Sequence, residues 1–237
     1  MLTWAFVMIA GSAAAQAITG FGFALLAVPL LALVTRVDTA VVAACIASLA
    51  LTAGVTVSER THVQWPTTGR VIAASVIGLP VGLLILVTLP DRALAVLVGI
   101  VVLSSTLIVW RRPTVRGGPR TLTGIGVLVG VLTTATGTNG PPLVAAFASL
   151  GYPPREFRAT LAAVFTGCGV ASLALFAAGG EVSSTALSMG LVGLPAVALG
   201  WWLGDRVFHR VPADRFRSLV LLALVAASTL TIVRSFI

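Results

Sequence analysis

The chain has 237 residues, of which 58% are hydrophobic and 9% are charged, and its mean hydropathy is +1.08. A soluble domain usually carries about 25% charged residues, so this composition excludes a water-soluble fold and predicts one membrane domain over residues 1–237. The net charge of +8 comes from fifteen arginines in short breaks between apolar runs. Arginines at such places orient helices in a bilayer, so we predict no nucleic-acid partner.

Ten apolar runs follow one another along the chain and predict helices. At roughly 20 residues per crossing, the chain has room for about eight to ten spans. The first run has no basic segment before it and continues into further apolar sequence, so we expect a retained span rather than a signal peptide. The runs cover residues 2–18, 21–34, 39–57, 71–89, 93–110, 122–136, 142–150, 160–178, 185–203 and 216–233.

Two of these runs, at residues 21–34 and 142–150, are too short to cross a bilayer, and each follows a glycine-rich break. A helix can break inside a bilayer only where protein or a water-filled cavity receives the freed backbone groups. The pattern therefore predicts two broken or re-entrant helical hairpins, each followed by three transmembrane helices. The breaks read Thr19-Gly20-Phe21-Gly22 and Thr136-Gly137-Thr138-Asn139-Gly140-Pro141-Pro142.

The two hairpins belong to halves that resemble each other. Five short matches run in the same order at separations of 115 to 124 residues. We therefore expect a duplicated unit, with repeat one at residues 1–112 and repeat two at residues 121–237. The matches join 19–20 to 136–137, 47–51 to 171–175, 78–80 to 193–195, 91–92 to 214–215, and 105–107 to 228–230.

The arginines indicate how the chain threads the membrane. If each broken run crosses once, the two sides hold seven and eight arginines; if each hairpin returns to its starting side, the split is three against twelve. The positive-inside rule favours the second arrangement. It leaves Arg36, Arg92 and Arg234 outside with both termini and puts the other twelve arginines in the cytoplasm. Each half then crosses an odd number of times, so the sequence predicts an all-α protein of two inverted repeats. Whether the hairpin arms cross fully stays open.

The glycine-rich breaks are the candidate substrate site. A helix that begins at a break has free N–H groups and the positive end of its dipole there, and this combination suits an anion. Glycine lets the chain turn and a ligand approach closely, and proline fits the first helical position. Hydroxyl and amide groups add hydrogen-bond donors. The predicted substrate-binding residues are Gln16, Thr19, Gly20, Phe21, Gly22, Thr136, Gly137, Thr138, Asn139 and Gly140.

Other polar and small residues have weaker assignments. Arg155 and Arg158 follow a double proline at the mouth of the second hairpin, where they could recruit anions or serve as ordinary cytoplasmic arginines. The two cysteines lie inside apolar runs, so no disulfide, metal site or cofactor is predicted. Six glycines are expected to allow close helix packing: Gly11, Gly54, Gly78, Gly99, Gly193 and Gly200.

The two breaks also carry a family resemblance. Residues 19–31, TGFGFALLAVPLL, resemble the first signature of the sulfite exporter TauE/SafE family. The second break, followed by Gly151-Tyr152-Pro153 and Arg158-Ala159-Thr160, is similar to that family's second signature. The length and the duplicated organisation fit over essentially the whole chain. The resemblance implies a multi-pass transporter of the bacterial inner membrane that handles sulfite, sulfonates or other small anions.

We therefore expect a secondary transporter, by resemblance an exporter, that binds its anion near the midplane. The chain has no Walker-type loop for ATP. An anion channel on the same scaffold is one alternative, and a membrane subunit or intramembrane enzyme is another. No base is evident beside the hydroxyls and thiols of the spans, so we predict that the protein is not an enzyme. The partners are the anion and the lipid bilayer; a proton as coupling ion and a homo-oligomeric state are left open.

Overall fold

A computed structural model describes residues 2–19, 22–111, 118–208 and 213–234. Within these ranges the chain forms ten α-helices and a short 3-10 helix at Arg60–His62. The all-α prediction is confirmed for these residues. The helices are α1 Leu2–Thr19, α2 Phe23–Leu31, α3 Val37–Ser58, α4 Trp65–Thr88, α5 Asp91–Arg111, α6 Pro119–Thr136, α7 Gly140–Ala148, α8 Pro154–Ala178, α9 Ser184–Phe208 and α10 Ala213–Arg234.

Five of the described helices are long and apolar enough to cross a membrane: α3, α4, α5, α8 and α9. Shorter apolar stretches of helix lie at Leu2–Ala17 and Leu222–Val233. Many large apolar side chains of these helices, such as Ile77 and Leu84, are exposed on the outer surface. Lipid is the solvent that accepts such a surface, so the protein is an integral membrane protein.

The two short apolar runs form α2 and α7, which have nine residues each. At a rise of 1.5 Å per residue each is about 14 Å long, roughly half of the hydrocarbon core. These two arms are therefore too short to cross fully. Each folds back on the eighteen-residue helix before it, α1 or α6. The result is two hairpins with one long and one short arm.

Each hairpin packs along a helix of the opposite half. α6 runs parallel to α4, and α1 runs parallel to α9, with glycines at the contacts. A Cβ on Gly130 would meet the carbonyl oxygen of Ser75, and one on Gly200 would meet that of Ala10. In a bilayer the hydrophobic effect does not drive helices together. Close approach of the two backbones stabilises the pair instead through van der Waals contacts.

The predicted close packing is confirmed for Gly78, Gly99, Gly193 and Gly200, where an added Cβ would meet neighbouring atoms within 3 Å. It is wrong for the other two glycines, Gly11 and Gly54. Their Cβ positions face open space because both lie on helix faces with no neighbouring helix.

Long helices from the first and the second half of the chain also pack against each other. α3 contacts α8, and the two run antiparallel, since Cys45 lies beside Gly169 and Thr56 lies beside Thr166. α5 and α10 form a second such pair. The short helices close the remaining sides, α2 against α10 and α7 against α5. Thus the two hairpin tips are brought to the middle of a bundle built from both halves.

Candidate functional site

A small cavity lies between the two hairpin tips and the middle of α3 and α8. Its volume is about 40 Å³, room for roughly three or four water molecules. Cys45 and Ser48 of α3 and Phe165 and Gly169 of α8 line it near the middle of those helices, which would be near the midplane of a bilayer. The full lining is Gln16, Gly22, Phe23, Ala24, Leu25, Ala44, Cys45, Ser48, Thr52, Thr133, Gly137, Thr138, Asn139, Gly140, Phe165 and Gly169.

The first hairpin contributes the beginning of α2. Gly22 has a φ of 104°, a left-handed conformation that glycine adopts without a steric penalty. The side-chain oxygen of Gln16 accepts the Phe23 N–H at 3.1 Å and so fastens the start of α2 to α1. The next two N–H groups, of Ala24 and Leu25, belong to the first turn and have no intrahelical acceptor. Both residues line the cavity.

The second hairpin contributes side chains more than backbone. Gly137 ends α6 with a φ of 68°, and its N–H bonds the Thr133 carbonyl at 3.1 Å. The Asn139 amide donates to the Thr133 hydroxyl at 2.8 Å, and Thr138 exchanges a 2.7 Å hydrogen bond with Thr136. These contacts hold the hydroxyl and amide groups of the tip in place beside the cavity.

The prolines of α7 correct one expectation. Gly140 is the first helical residue, and Pro141 and Pro142 are the second and third. Because proline has no N–H, the first turn of α7 offers only the Gly140 N–H. The two helix starts are therefore not equivalent as anion sites, and at the second tip side-chain donors replace backbone donors.

Gln16 and Thr133 occupy equivalent places in the two halves, 117 residues apart like the breaks themselves. Each accepts a hydrogen bond that stabilises its break. In the first half the long Gln16 side chain reaches the backbone; in the second half Thr133 is short and Asn139 reaches to it.

Six of the predicted site residues therefore line the cavity together: Gln16, Gly22, Gly137, Thr138, Asn139 and Gly140. Thr136 does not, because it is buried behind Thr138 with its hydroxyl bonded to the Leu132 carbonyl. The predicted positions Gly20 and Phe21, and the side chain of Thr19, lie outside the described residues.

Arg155 and Arg158 do not line the cavity. Arg155 is exposed at the start of α8 and bonds the Glu59 carboxylate at 2.7 and 3.3 Å. Arg158 is also exposed. None of the described residues that line the cavity is charged, so its polarity comes from N–H, hydroxyl, amide and thiol groups.

Sequence reasoning missed the cavity residues on the long helices, among them Ala44, Cys45, Ser48 and Thr52, and also Thr133 of α6. A sequence signal was present for one of them, since Ser48 belongs to a motif that recurs 124 residues later. The Cys45 thiol lies 3.8 Å from the Gly169 carbonyl, and these two positions are also 124 residues apart.

Comparison with known proteins identifies the family. The family model described as "Sulfite exporter TauE/SafE" matches residues 4–231. The chain is 30% identical over 203 residues to a Cupriavidus necator protein named "Probable sulfite/organosulfonate exporter TauE", an alignment that covers 81% of this chain and 78% of that protein. No solved structure matches. The chain belongs to the sulfite exporter TauE/SafE family of membrane transporters.

Proposed function

We propose that the protein is a secondary exporter of a small sulfur oxyanion, sulfite or a short organosulfonate, which it binds in the cavity between the hairpin tips. The observation that carries this proposal is the neutral polar lining contributed by both tips. The name of the Cupriavidus necator relative supports the substrate class. The breaks on both sides of the cavity offer donors to an anion from either half, mainly backbone N–H groups at the first break and side-chain groups at the second.

A neutral site of this kind suits a transported anion. The Ala24 and Leu25 N–H groups point the positive end of α2 toward the cavity, and hydrogen bonds to a charged ligand are stronger than those between neutral groups. From the opposite tip, the Asn139 amide has a second N–H beyond the one that bonds Thr133, and the Thr138 hydroxyl, which donates to Thr136 in this structure, turns to the anion when it binds. With no arginine in the lining, the site can hold the anion without the tight ion pairing that would slow its release.

We further propose that residues 1–112 and 121–237 are inverted repeats. The antiparallel pairing of α3 with α8 supports this arrangement, because those helices are equivalent in the two halves. The arginine distribution supports an inner-membrane orientation with both termini outside. In this orientation α1 and α2 enter from outside and α6 and α7 enter from the cytoplasm. A proton is the proposed coupling ion.

The test is transport of labelled sulfite and a short sulfonate in proteoliposomes, with and without a proton gradient. Thr138→Val removes one hydroxyl from the cavity and keeps the side-chain shape. A hydrogen bond to a charged ligand contributes about 1.5–3 kcal/mol, so the KM is expected to rise by about ten- to a hundredfold.

Thr106→Val is the matched control, because Thr106 is buried on α5, bonds the Val102 carbonyl and does not line the cavity. It should leave the KM unchanged. An unchanged KM in both Thr138→Val and Asn139→Ala would contradict the proposed site. Flux that does not saturate and ignores the proton gradient would favour a channel.

A further inference from the structure

The cytoplasmic end of the proposed orientation is closed by polar contacts between the two halves. These contacts join the connection between α3 and α4 and the first turn of α4 to the connection between α7 and α8 and the first turns of α8. We name this group of contacts the clasp. It consists of Arg155 with Glu59 at 2.7 Å, the Gln64 side chain with Glu156 at 2.7 Å, the Gln64 N–H with the Thr160 hydroxyl at 3.1 Å, and Thr67 with Tyr152 at 2.8 Å.

The clasp lies directly beyond the cavity along α3. Thr52 lines the cavity, and one turn later the Thr56 hydroxyl bonds Thr166 of α8 at 3.0 Å. Glu59 follows at the end of α3, seven residues or about 10 Å from Thr52. A polar face of α3 thus leads from the cavity to the clasp, and two successive contacts between the halves close it. A solute leaving the cavity along this face would have to break both.

The opposite end of the bundle differs. Its equivalent connections are residues 32–36, before α3, and residues 179–183, after α8. Arg36 forms its ion pair with Asp38, within its own half. Among the described residues, no hydrogen bond or ion pair joins these two connections. A depression of about 410 Å³, lined in part by Arg36 and Asp91, opens beside residues 32–36.

The residues for a second clasp are nevertheless present at that end. Glu59 follows α3 and Glu181 follows α8, 122 residues apart and so within the spacing of the repeat. Arg36 lies just before α3, and Arg155 lies in the same way at the beginning of α8. The hydrogen bond and charge of Asp38 raise the pKa of Arg36 most, and the charges of Asp91 and then Glu181 raise it further, so both of these carboxylates lie within electrostatic reach.

We infer that the clasp is one of two alternating gates, shut in this structure, and that Arg36 and Glu181 form the ion pair of the other gate when the clasp opens. The inference rests on the proposed transport function. In a protein of two equivalent halves, exchanging the conformations of the halves exchanges the open and the closed end. The same sequence then has two states of similar energy, and the anion in the central cavity meets one side at a time.

Cys45 provides a native reporter, since its thiol lines the cavity. The test uses Cys168→Ala protein, in which Cys45 is the single thiol, in oriented vesicles. A small membrane-impermeant thiol reagent is added from one face at a time, and the rate of Cys45 modification is measured. We expect faster modification from the Arg36 face than from the Glu59 face. Glu59→Gln should accelerate modification from the Glu59 face by about two- to fivefold, the range for loss of one exposed ion pair.

Arg70→Gln is the matched control, because it removes an exposed arginine of α4 at the same end of the bundle that takes no part in the clasp. It should leave the rate unchanged. The charge-exchanged double variant Glu59→Arg/Arg155→Glu should restore the slow rate, which a merely unfolded variant would not do. Equal rates from both faces in the parent protein, or no acceleration by Glu59→Gln, would overturn the inference.

The labelling experiment needs no transported substrate. If sulfite proves not to be transported, the labelling rates still report on the gate. If sulfite flux is saturable but labelling is unaffected by Glu59→Gln, the transport proposal stands and the gate assignment fails.

Discussion

Substitution of Gly137 by alanine tests whether the tip of the second hairpin depends on its left-handed turn and on its contact with the first half. Gly137 has a φ of 68°, and a Cβ there would lie 2.9 Å from Cγ2 of Val28 and 3.8 Å from Cγ1 of Val41. The conformational cost of alanine in this region is about 1–2 kcal/mol. Crowding against α2 adds to it, because the tip has to shift or Val28 has to give way.

Two other glycines separate these contributions. Gly151 and Gly180 also have positive φ values, of 68° and 77°, but nothing lies within 4 Å of their Cβ positions. Alanine at either site should therefore cost the conformational part alone, which corresponds to a fall in Tm of about 2–4 °C per kcal/mol for a chain of this size. Gly137→Ala should lower Tm by more than either control and should also impair transport.

The assay is thermal unfolding in detergent, followed by sulfite flux in proteoliposomes. If Gly137→Ala lowers Tm by no more than Gly151→Ala and transports normally, the close contact of the tip with α2 is unimportant and the reasoning is wrong. If all three variants keep the Tm of the parent protein, the positive φ values carry no cost.

Three further perturbations have defined outcomes. Thr68→Val removes a buried hydroxyl that has no described hydrogen-bond partner, so Tm should stay constant or rise by the equivalent of about 1 kcal/mol; a clear fall would reveal a hidden partner. Gly130→Ala should unfold at a much lower temperature than Gly124→Ala, because a Cβ on Gly130 meets the α4 backbone whereas one on Gly124 faces open space; similar temperatures would contradict the close packing of α4 and α6. The hydrogen bond from Arg155 lowers the pKa of Glu59, so the ion pair should persist at neutral pH and be lost as the pH falls through that lowered pKa. The Tm difference between parent and Glu59→Gln should vanish over the same acidic range; a difference that persists below it would show that the carboxylate charge is not responsible.

The sequence was informative about features that depend on local composition. Apolar length and the scarcity of charge predicted a helical membrane protein, and glycine-rich breaks before two short runs predicted the two hairpins. The same breaks contained five of the residues that line the cavity, including Gly137 and Asn139. The breaks could be located because glycines and polar residues cluster there, and a helix that breaks within a bilayer needs polar partners for its freed backbone groups. The inverted relation of the halves and the binding role of the cavity stay predictions.

The sequence did not predict which residues of the long helices would face the hairpin tips. Ser48 and Thr52 line the cavity, whereas Ser172, the repeat equivalent of Ser48, is buried elsewhere with its hydroxyl bonded to the Cys168 carbonyl. In water an apolar stripe identifies the inner face of a helix. In lipid both faces are apolar, so periodicity carries little information about which face meets another helix.

By itself, then, the sequence determined that the chain lies in a membrane, where its helices break, and which polar groups the breaks carry, because hydropathy and backbone preferences act over a few residues. Only the tertiary structure decided that both tips meet at one cavity, that the prolines of α7 leave the donors at that tip mainly to side chains, and that Arg155 pairs with Glu59 across the two halves. These outcomes depend on the steric fit between helices that are distant in the chain. That fit is decided by glycines that allow a neighbouring backbone to approach, and the pattern of apolar residues does not predict it.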